Sequence, residues 1–472
     1  MAGSTDTTGA RLPFWRSVIF ALCGLPMTAV SATLLIYLPP HLATQLGVGL
    51  SVVAGVFFTV RLIDIGFDPI LGMLMDRTRT RLGRYRPWLL AAAPLFVAGV
   101  GMLFFAPVGI TRLYMVGWLL TLYVGLSILT LGPPAWAAVL ARDYNDRSRL
   151  FGIMAAVSFA GLLATVSIPS FTGQVLKLSD ADAVHTLGWF LIGLAPVAVG
   201  VSVWLTPEPA VAAGRTLPAI SFKAVVGLLK KADLIRLYGA QVAMVLGPGW
   251  MSSIFLFFSK DYMHFTVGQA STLLIFYMLA ALVGAPSIAW IATRFGKHRA
   301  IMAVAVAYSV GLMTVLLPPP GAFWAAVPIN VWCGFWGAGF ELTLRSMLAD
   351  VADEVRLEQK EDRLSLIFAL STAASKVASA SAIIISFPLL QALGYVPKLG
   401  HANSPAAIRG LGLVFVGGPI FFVMCGALFM LGWRLTATRH AEIRAALDAR
   451  DAEAALGLDT GAIAAVEKLA AG

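Results

Sequence analysis

Long apolar runs separated by short polar stretches recur along the whole chain. A helix needs about 20 apolar residues to cross a bilayer, so the runs predict an all-α membrane protein with twelve transmembrane helices. The predicted spans are 16–38, 50–74, 88–107, 112–141, 150–170, 187–206, 236–259, 267–292, 299–317, 321–346, 365–391 and 409–433.

The twelve spans divide into two sets of six. A polar, basic segment follows Thr206 after the sixth span, and Gly83-RYR after span two resembles Gly296-KHR after span eight. We predict an N-terminal six-helix half over 1–207, a cytoplasmic linker over 208–235, a C-terminal six-helix half over 236–433 and a cytoplasmic tail over 434–472. Two related halves are typical of transporters that bind a substrate between them near the bilayer midplane.

Composition and charge agree with this prediction. The chain is 59% hydrophobic and 12% charged, against about 25% charged in a soluble domain. Of its 34 Lys and Arg residues, 27 fall on the side of the two termini and five on the other. The excess predicts cytoplasmic termini, so the net charge of +10 reflects membrane topology and not nucleic-acid binding. We expect a multi-pass protein of the plasma membrane, which in a bacterium is the inner membrane.

The sequence lacks signals for a metal site, a disulfide or an enzyme. Cys23, Cys333 and Cys425 lie in apolar runs without a CxxC pair, so we expect free core cysteines. The six histidines have no ligand-like spacing, and we expect them to be solvated or interfacial. No G-x-x-x-x-G-K-[ST], H-E-x-x-H or G-x-S-x-G motif occurs, so we predict no enzyme, no metal and no cofactor.

Span two carries three ionisable residues on one face. Arg61, Asp64 and Asp68 fall within about 60° of one another at 100° per helical residue, and Lys376 lies in the apolar run of span eleven. A charge at membrane depth costs at least about 2.5–3.5 kcal/mol on insertion scales and usually marks an ion or substrate path. Asp64 and Asp68 could chelate a cation or share a proton. Alternatively, the four charges, which sum to zero, only pair to hold the halves together.

The run Arg61-LIDIGFDPIL-Gly72, followed by Asp76-RTRTRLGRYRPWL-Leu90, resembles the glycoside-pentoside-hexuronide:cation symporter family of the major facilitator superfamily. The similarity continues through 346–354 and Lys376. The resemblance implies the major facilitator fold and cation-coupled secondary transport. It also implies that Asp64 and Asp68 bind the cation and that Arg61 and Lys376 balance its charge.

The sequence departs from that family at its sugar ligands. Span one has no acidic residue, and Gly132 stands where sugar-binding members carry an Asp on span four. Phe67 precedes Asp68 where sodium-using members place Asn, which favours H⁺ over Na⁺. We expect symport of a small organic solute such as a sugar or glycoside; the alternatives are a lipid or amphiphile flippase or exporter on the same fold, or a non-transporting receptor. The expected partners are this solute, the coupling cation and membrane lipid, with a monomeric protein.

Two further sets of residues are candidates. Aromatic and amide side chains within spans could line the substrate cavity, although such residues are also common in packing and at interfaces; they are Trp136, Gln241, Trp250 and Trp336. Charged residues near the cytoplasmic ends of spans could form a gate that opens as the halves move; they are Asp76, Arg77, Arg84, Asp350, Asp353 and Arg363. We expect Glu341 to pair with Arg345, and Pro26 and Gly247-Pro248-Gly249 either to be tolerated or to bend their helices.

Overall fold

The computed structural model describes residues 13–141, 144–208, 227–228, 230–359 and 363–452. Within these ranges the regular structure is helical, apart from an isolated bridge between Thr80 and Gly83. The helices of the first half are α1 (Phe14–Ala21), α2 (Leu25–Ile36), α3 (Leu38–Thr44), α4 (Leu50–Arg77), α5 (Arg86–Phe104), α6 (Arg112–Leu140), α7 (Tyr144–Gln174) and α8 (Asp180–Leu205). Those of the second half are α9 (Ala232–Phe257), α10 (Val267–Phe295), α11 (Lys297–Thr314), α12 (Phe323–Gly337), α13 (Gly339–Gln359), α14 (Leu364–Ala392) and α15 (Pro405–Leu428). A final helix, α16, covers 437–452.

The helices confirm the predicted fold class. Among the described residues, ten helical segments are long and apolar enough to cross a membrane. The two remaining predicted spans correspond to α11 and to α12 with α13. Span ten is therefore two helices, which meet at Ala338. The predicted domain limits stay a prediction, because most of the linker lies outside the described ranges.

Side-chain caps begin four helices at the face opposite to the termini. The hydroxyls of Thr111, Ser179, Thr266 and Ser404 each accept a hydrogen bond from a backbone N–H in the first turn. Such caps satisfy N–H groups that have no partner inside the helix. We call this face the opposite face, and the face that holds Phe14 and Trp433 the terminal face.

The two halves contact each other through α4 with α14 and through α7 with α10. At the opposite face the Tyr37 hydroxyl lies 2.8 Å from that of Ser271, and the Ser51 hydroxyl donates to Gln391 Oε1 at 2.7 Å. Gly173 and Gly268 meet there so closely that a Cβ on Gly173 would lie 3.0 Å from the Gly268 Cα. The opposite face is thus held closed by contacts between the halves.

Helix α16 packs on the terminal face of the second half. Its Ile443 and Leu447 are buried, and His440 Nε2 lies 3.1 Å from Asp353 of α13. Apolar and polar contacts together therefore attach this part of the predicted tail to the membrane domain.

Candidate functional site

Helices α4 and α14 bring the four predicted charged residues together between the halves. Lys376 Nζ donates to Asp64 Oδ2 at 3.0 Å and also binds Asp68 Oδ2. Arg61 Nη1 donates to the same Asp64 oxygen at 3.2 Å. The spacing on α4 allows this because positions three and four apart share a helix face.

Ser127 of α6 completes the surroundings of Asp64. Its hydroxyl donates to Asp64 Oδ1 at 2.6 Å, so Asp64 accepts bonds from Ser127, Arg61 and Lys376 while only 5% of its surface is exposed. Sequence reasoning missed Ser127. The available signal was a polar residue in the apolar run of span four, one helical turn after Tyr123.

Asp68 is less completely satisfied than Asp64. Its Oδ2 binds Lys376, whereas its buried Oδ1 has no hydrogen-bond partner in the described part of the chain. Buried polar atoms are almost always hydrogen-bonded, and an exception calls for an explanation. A proton on Oδ1 is one group that this oxygen could hold, so the two carboxylates are suited to different roles.

A cavity of about 210 Å³ lies beside these charges and between the halves. Arg61 borders it, and its guanidinium carbon lies 5.2 Å from the centre of the Tyr123 ring, which also borders it. The lining residues are Ser31, Leu34, Leu35, Phe57, Arg61, Tyr123, Leu126, Ser379, Ala380 and Ile383. The cavity therefore combines one cation, one phenol and two serines with six apolar side chains.

None of the four residues predicted to line the cavity borders this one. Trp136 is fully buried in the first half, with its ring edge-on to Phe20 at 5.0 Å. Trp250 is buried and donates to a backbone carbonyl of α15, and Gln241 bonds with serines of α14. Trp336 is half-buried against Trp332. Trp136, Trp250 and Gln241 thus contact neighbouring helices, Trp336 contacts a residue of its own helix, and a role of the four in substrate binding stays a prediction.

The predicted gate residues fall into two separate clusters on the terminal face. Asp76 pairs with Arg84 and accepts from the Tyr85 hydroxyl at 3.3 Å, all within the first half. Arg77 beside it is exposed.

The second cluster lies within the second half. Asp350 pairs with Lys297 at 2.7 Å, and Asp353 contacts His440 at 3.1 Å and Arg444 at 3.5 Å. Arg363 directly precedes α14. The structure thus shows ion pairs within each half at these aspartates, and the role of the set as a gate stays a prediction.

Three smaller predictions concern the Glu341–Arg345 pair, the cysteines and the histidines. The Arg345–Glu341 pair is confirmed, at 2.7 Å on the surface, and all three cysteines are free. The expectation of solvated or interfacial histidines is wrong for His41, of which only 4% is exposed. Burial, together with the neighbouring His185, lowers the pKa of His41 to about 4.

Comparison with known proteins identifies the family that the sequence resembles. A model of the family described as MFS/sugar transport protein matches residues 19–437. The isoprimeverose transporter of Lactiplantibacillus pentosus is 22% identical over 423 residues, which cover 88% of this chain and 86% of that protein. The sodium-dependent lysophosphatidylcholine symporter 1 of Xenopus tropicalis is 22% identical over 480 residues, which cover 93% and 90%.

A solved structure supports the fold. The nucleoside transporter NupG superposes with a TM-score of 0.65 at 13% identity, covering 89% of this chain and all of that one. At this identity the likeness shows the shared major facilitator fold alone.

Proposed function

The chain belongs to the MFS/sugar transport protein family, and from that premise we propose that it is a secondary transporter that couples symport of a small organic solute to one proton. It is a multi-pass membrane transporter of the major facilitator type and not an enzyme. The observation that carries the proposal is the buried Oδ1 of Asp68, which has no hydrogen-bond partner among the described residues and belongs to the carboxylate that binds the Lys376 ammonium.

Lys376 connects the state of the coupling site to the contact between the halves. In the deprotonated state its ammonium binds Asp64 and Asp68 and so joins α14 of the second half to α4 of the first. Protonation of Asp68 removes one of the two negative charges that hold the ammonium. The ionic contact between the halves is then weaker, so the halves can separate at this point.

Asp64 has the complementary role of an anchor for the two cations. It accepts three hydrogen bonds, from Arg61, Ser127 and Lys376. Asp64 therefore orients Lys376 and Arg61 while Asp68 exchanges the proton.

A proton is favoured over sodium as the coupling ion. Sodium needs several oxygen ligands, and Phe67 stands beside Asp68 where an amide could have supplied one. Ser127, which bonds to Asp64, brings one neutral oxygen to the pair. A proton needs only the free oxygen of Asp68.

Transport of a lipid or other amphiphile is the second candidate. A relative named as a lysophosphatidylcholine symporter matches 93% of the chain, and the cavity beside Arg61 is lined mainly by apolar side chains. This candidate keeps the same coupling site and differs only in the solute.

The test begins with a thermal-shift screen of the purified protein against sugars, glycosides, organic acids and lysolipids, at two pH values with and without sodium. A solute that stabilises the protein is then used for uptake into proteoliposomes. We expect uptake to make a lightly buffered medium more alkaline and to be insensitive to sodium. Sodium-dependent uptake without proton movement would overturn the choice of ion.

The coupling residues are tested in the same assay. Asp68→Asn and Asp64→Asn should each abolish uphill accumulation while expression and membrane insertion stay normal. Asp182→Asn is the matched control, because Asp182 lies in the same half and its carboxylate accepts from Ser179 at the start of its own helix, away from the charged site. Accumulation by Asp68→Asn at the parental level would remove Asp68 from the coupling site.

A further inference from the structure

We infer that the transported solute is a small organic monoanion with an apolar body, and that Arg61 binds its anionic group. The inference rests on the proposed function, since it takes Asp68 as the residue that carries the coupling proton. It adds the chemical class of the solute and a specificity-determining residue.

The charges of the empty site balance. Arg61 and Lys376 supply two positive charges, and Asp64 and Asp68 supply two negative charges, all joined by hydrogen bonds. One proton on Asp68 leaves a net charge of +1. An uncompensated charge in the membrane interior is unfavourable.

A monoanion would restore neutrality to the loaded site. The empty carrier and the carrier loaded with proton and anion are then both neutral, whereas a carrier with only one of the two is charged. Only the neutral forms would rearrange readily, and this difference couples the two fluxes.

The Arg61 side chain contacts both Asp64 and the cavity. Within the described part of the chain, Nη1 of Arg61 donates a hydrogen bond to Asp64. The Arg61 side chain is 20% exposed, and it borders the cavity. A guanidinium has five donors in a planar fork that matches a carboxylate or phosphate. Arg61 can therefore keep Asp64 and still bind an anion from the cavity.

Tyr123 adds a neutral donor to the same place. Its ring lies under the Arg61 guanidinium, and no hydrogen-bond partner for its hydroxyl is recorded among the described residues. A phenol donor beside a guanidinium suits an oxyanion better than it suits a cationic headgroup.

The cavity beside Arg61 has both apolar and polar walls. Its walls include five larger apolar side chains, which are Leu34, Leu35, Phe57, Leu126 and Ile383. These side chains suit the apolar body of a solute, whereas Arg61, Tyr123, Ser31 and Ser379 supply the polar part of the lining. The cavity volume of about 210 Å³ leaves room for a compact solute such as a single-ring acid.

Binding tests the inference with matched probes. Benzoate and benzenesulfonate are compared with benzamide and benzenesulfonamide, their neutral analogues, by thermal shift and by competition. We expect each anion to bind at least tenfold more tightly than its neutral analogue. Equal binding of the two forms, or tighter binding of a glycoside or lysophosphatidylcholine, would overturn the inference.

Variants locate the anion at Arg61. Arg61→Gln should lower the preference for the anion over its neutral analogue at least tenfold. Arg61→Lys should retain part of this preference. Arg294→Gln is the matched control, since Arg294 also stacks on an aromatic ring, Trp290, at 5.4 Å but lies outside the cavity. If Arg61→Gln does not fold, Tyr123→Phe keeps the ring and should weaken binding of the anion several-fold without affecting the neutral analogue. An unchanged preference in the folded variants contradicts the role of Arg61.

Transport distinguishes this inference from the function on which it rests. Benzenesulfonate is suitable because it does not cross lipid as a neutral acid. Its uptake, driven by a pH gradient, should not change when valinomycin and potassium impose an inside-negative potential, because one proton and one monoanion carry no net charge.

Proton-coupled uptake of a neutral solute that accelerates under the same potential would overturn the inference and leave the proposed function intact. If no solute accumulates and Asp68→Asn behaves like the parent, the proposed function itself fails.

Discussion

Ser127 is the residue that makes the two acidic side chains unequal. Its hydroxyl donates to Asp64 at 2.6 Å, and no comparable donor reaches Asp68 Oδ1 within the described ranges. A hydrogen bond to a charged group contributes about 1.5–3 kcal/mol. Loss of this bond should let Asp64 compete with Asp68 for the proton.

We therefore predict that Ser127→Ala lowers uphill accumulation about tenfold or more, which corresponds to roughly 1.4 kcal/mol or more. Exchange of labelled solute at equal concentrations should be affected less, because it requires no net proton release. Ser127→Thr keeps the hydroxyl and serves as the control. Equal accumulation by the two variants would show that the bond to Asp64 has no part in coupling.

His41 offers a separate prediction on stability. In the folded protein its pKa is lowered to about 4, first by burial and then by His185, whereas an unfolded histidine titrates near 6.5. Between these values the unfolded chain binds a proton that the folded one does not. Stability should therefore fall as pH falls from about 6.5 to 4, by at most about 3 kcal/mol from this residue.

The measurement is the thermal unfolding midpoint in detergent between pH 7 and 4.5. His41→Phe, which keeps a ring beside Phe104, should flatten the dependence on pH. A parental slope in His41→Phe would exclude His41 as its source.

At the scale of elements, the loop between α4 and α5 depends on Glu208, which follows α8. The carboxylate of Glu208 accepts from the backbone N–H groups of Arg84, Tyr85 and Arg86 at 2.7, 3.0 and 3.3 Å. These groups lie at the start of α5 and just before it, where backbone N–H groups have no partner within the helix. Gly83 precedes them with φ +116°, and a Cβ there would lie 2.1 Å from Glu208 Oε2.

We predict that Gly83→Ala lowers the thermal unfolding midpoint, because it combines an unfavourable φ with displacement of Glu208 from three backbone donors. Gly109→Ala separates the two effects. Gly109 also has positive φ, +90°, but a Cβ there would meet nothing within 4 Å. Gly83→Ala should lose about 1–3 kcal/mol more than Gly109→Ala, as expected for a buried polar group without a partner. Equal losses would mean that the contact with Glu208 adds no stability.

Helix existence could be predicted from the sequence more reliably than helix shape. Hydropathy and length follow from composition alone, so the long apolar runs predicted the spans. The break at Ala338 did not appear in that pattern, because both sides of it are apolar. Conversely, Gly247-Pro248-Gly249 remains within the continuous helix α9, where Gly247 approaches Val423 and Pro419 of α15. Tertiary packing, which the sequence does not display, decides both cases.

At the scale of the whole molecule, the site was predictable where charge was the signal. Charged residues are so unfavourable in lipid that Arg61, Asp64, Asp68 and Lys376 had to meet one another, and the structure brings them together. Uncharged residues carry no such constraint. Trp136 and Trp250 could pack or line a cavity with equal ease, and the structure packs both. Tyr123 and Ser127 were missed for the same reason.

The opposite face provides the last prediction, which concerns how the halves separate. Asp180 of the first half binds Lys260 of the second at 2.7 Å and accepts from the Val267 N–H, at the start of α10, at 3.0 Å. Asp180 and Val184 both border a cavity of about 230 Å³ between the halves. Opening this face must break both of the contacts that Asp180 makes.

A half-buried ion pair contributes up to about 1 kcal/mol, so Asp180→Asn should shift the equilibrium about fivefold toward the state that is open at this face. The measurement is the labelling rate of Val184→Cys, in a background without the native cysteines, by a membrane-impermeant maleimide. Labelling should be about fivefold faster with Asp180→Asn and unchanged with Asp182→Asn, whose carboxylate binds Ser179 of the same half. Equal rates in both variants would mean that Asp180 does not hold the halves together, and that Tyr37–Ser271, Ser51–Gln391 and the close glycine contact suffice to keep this face closed.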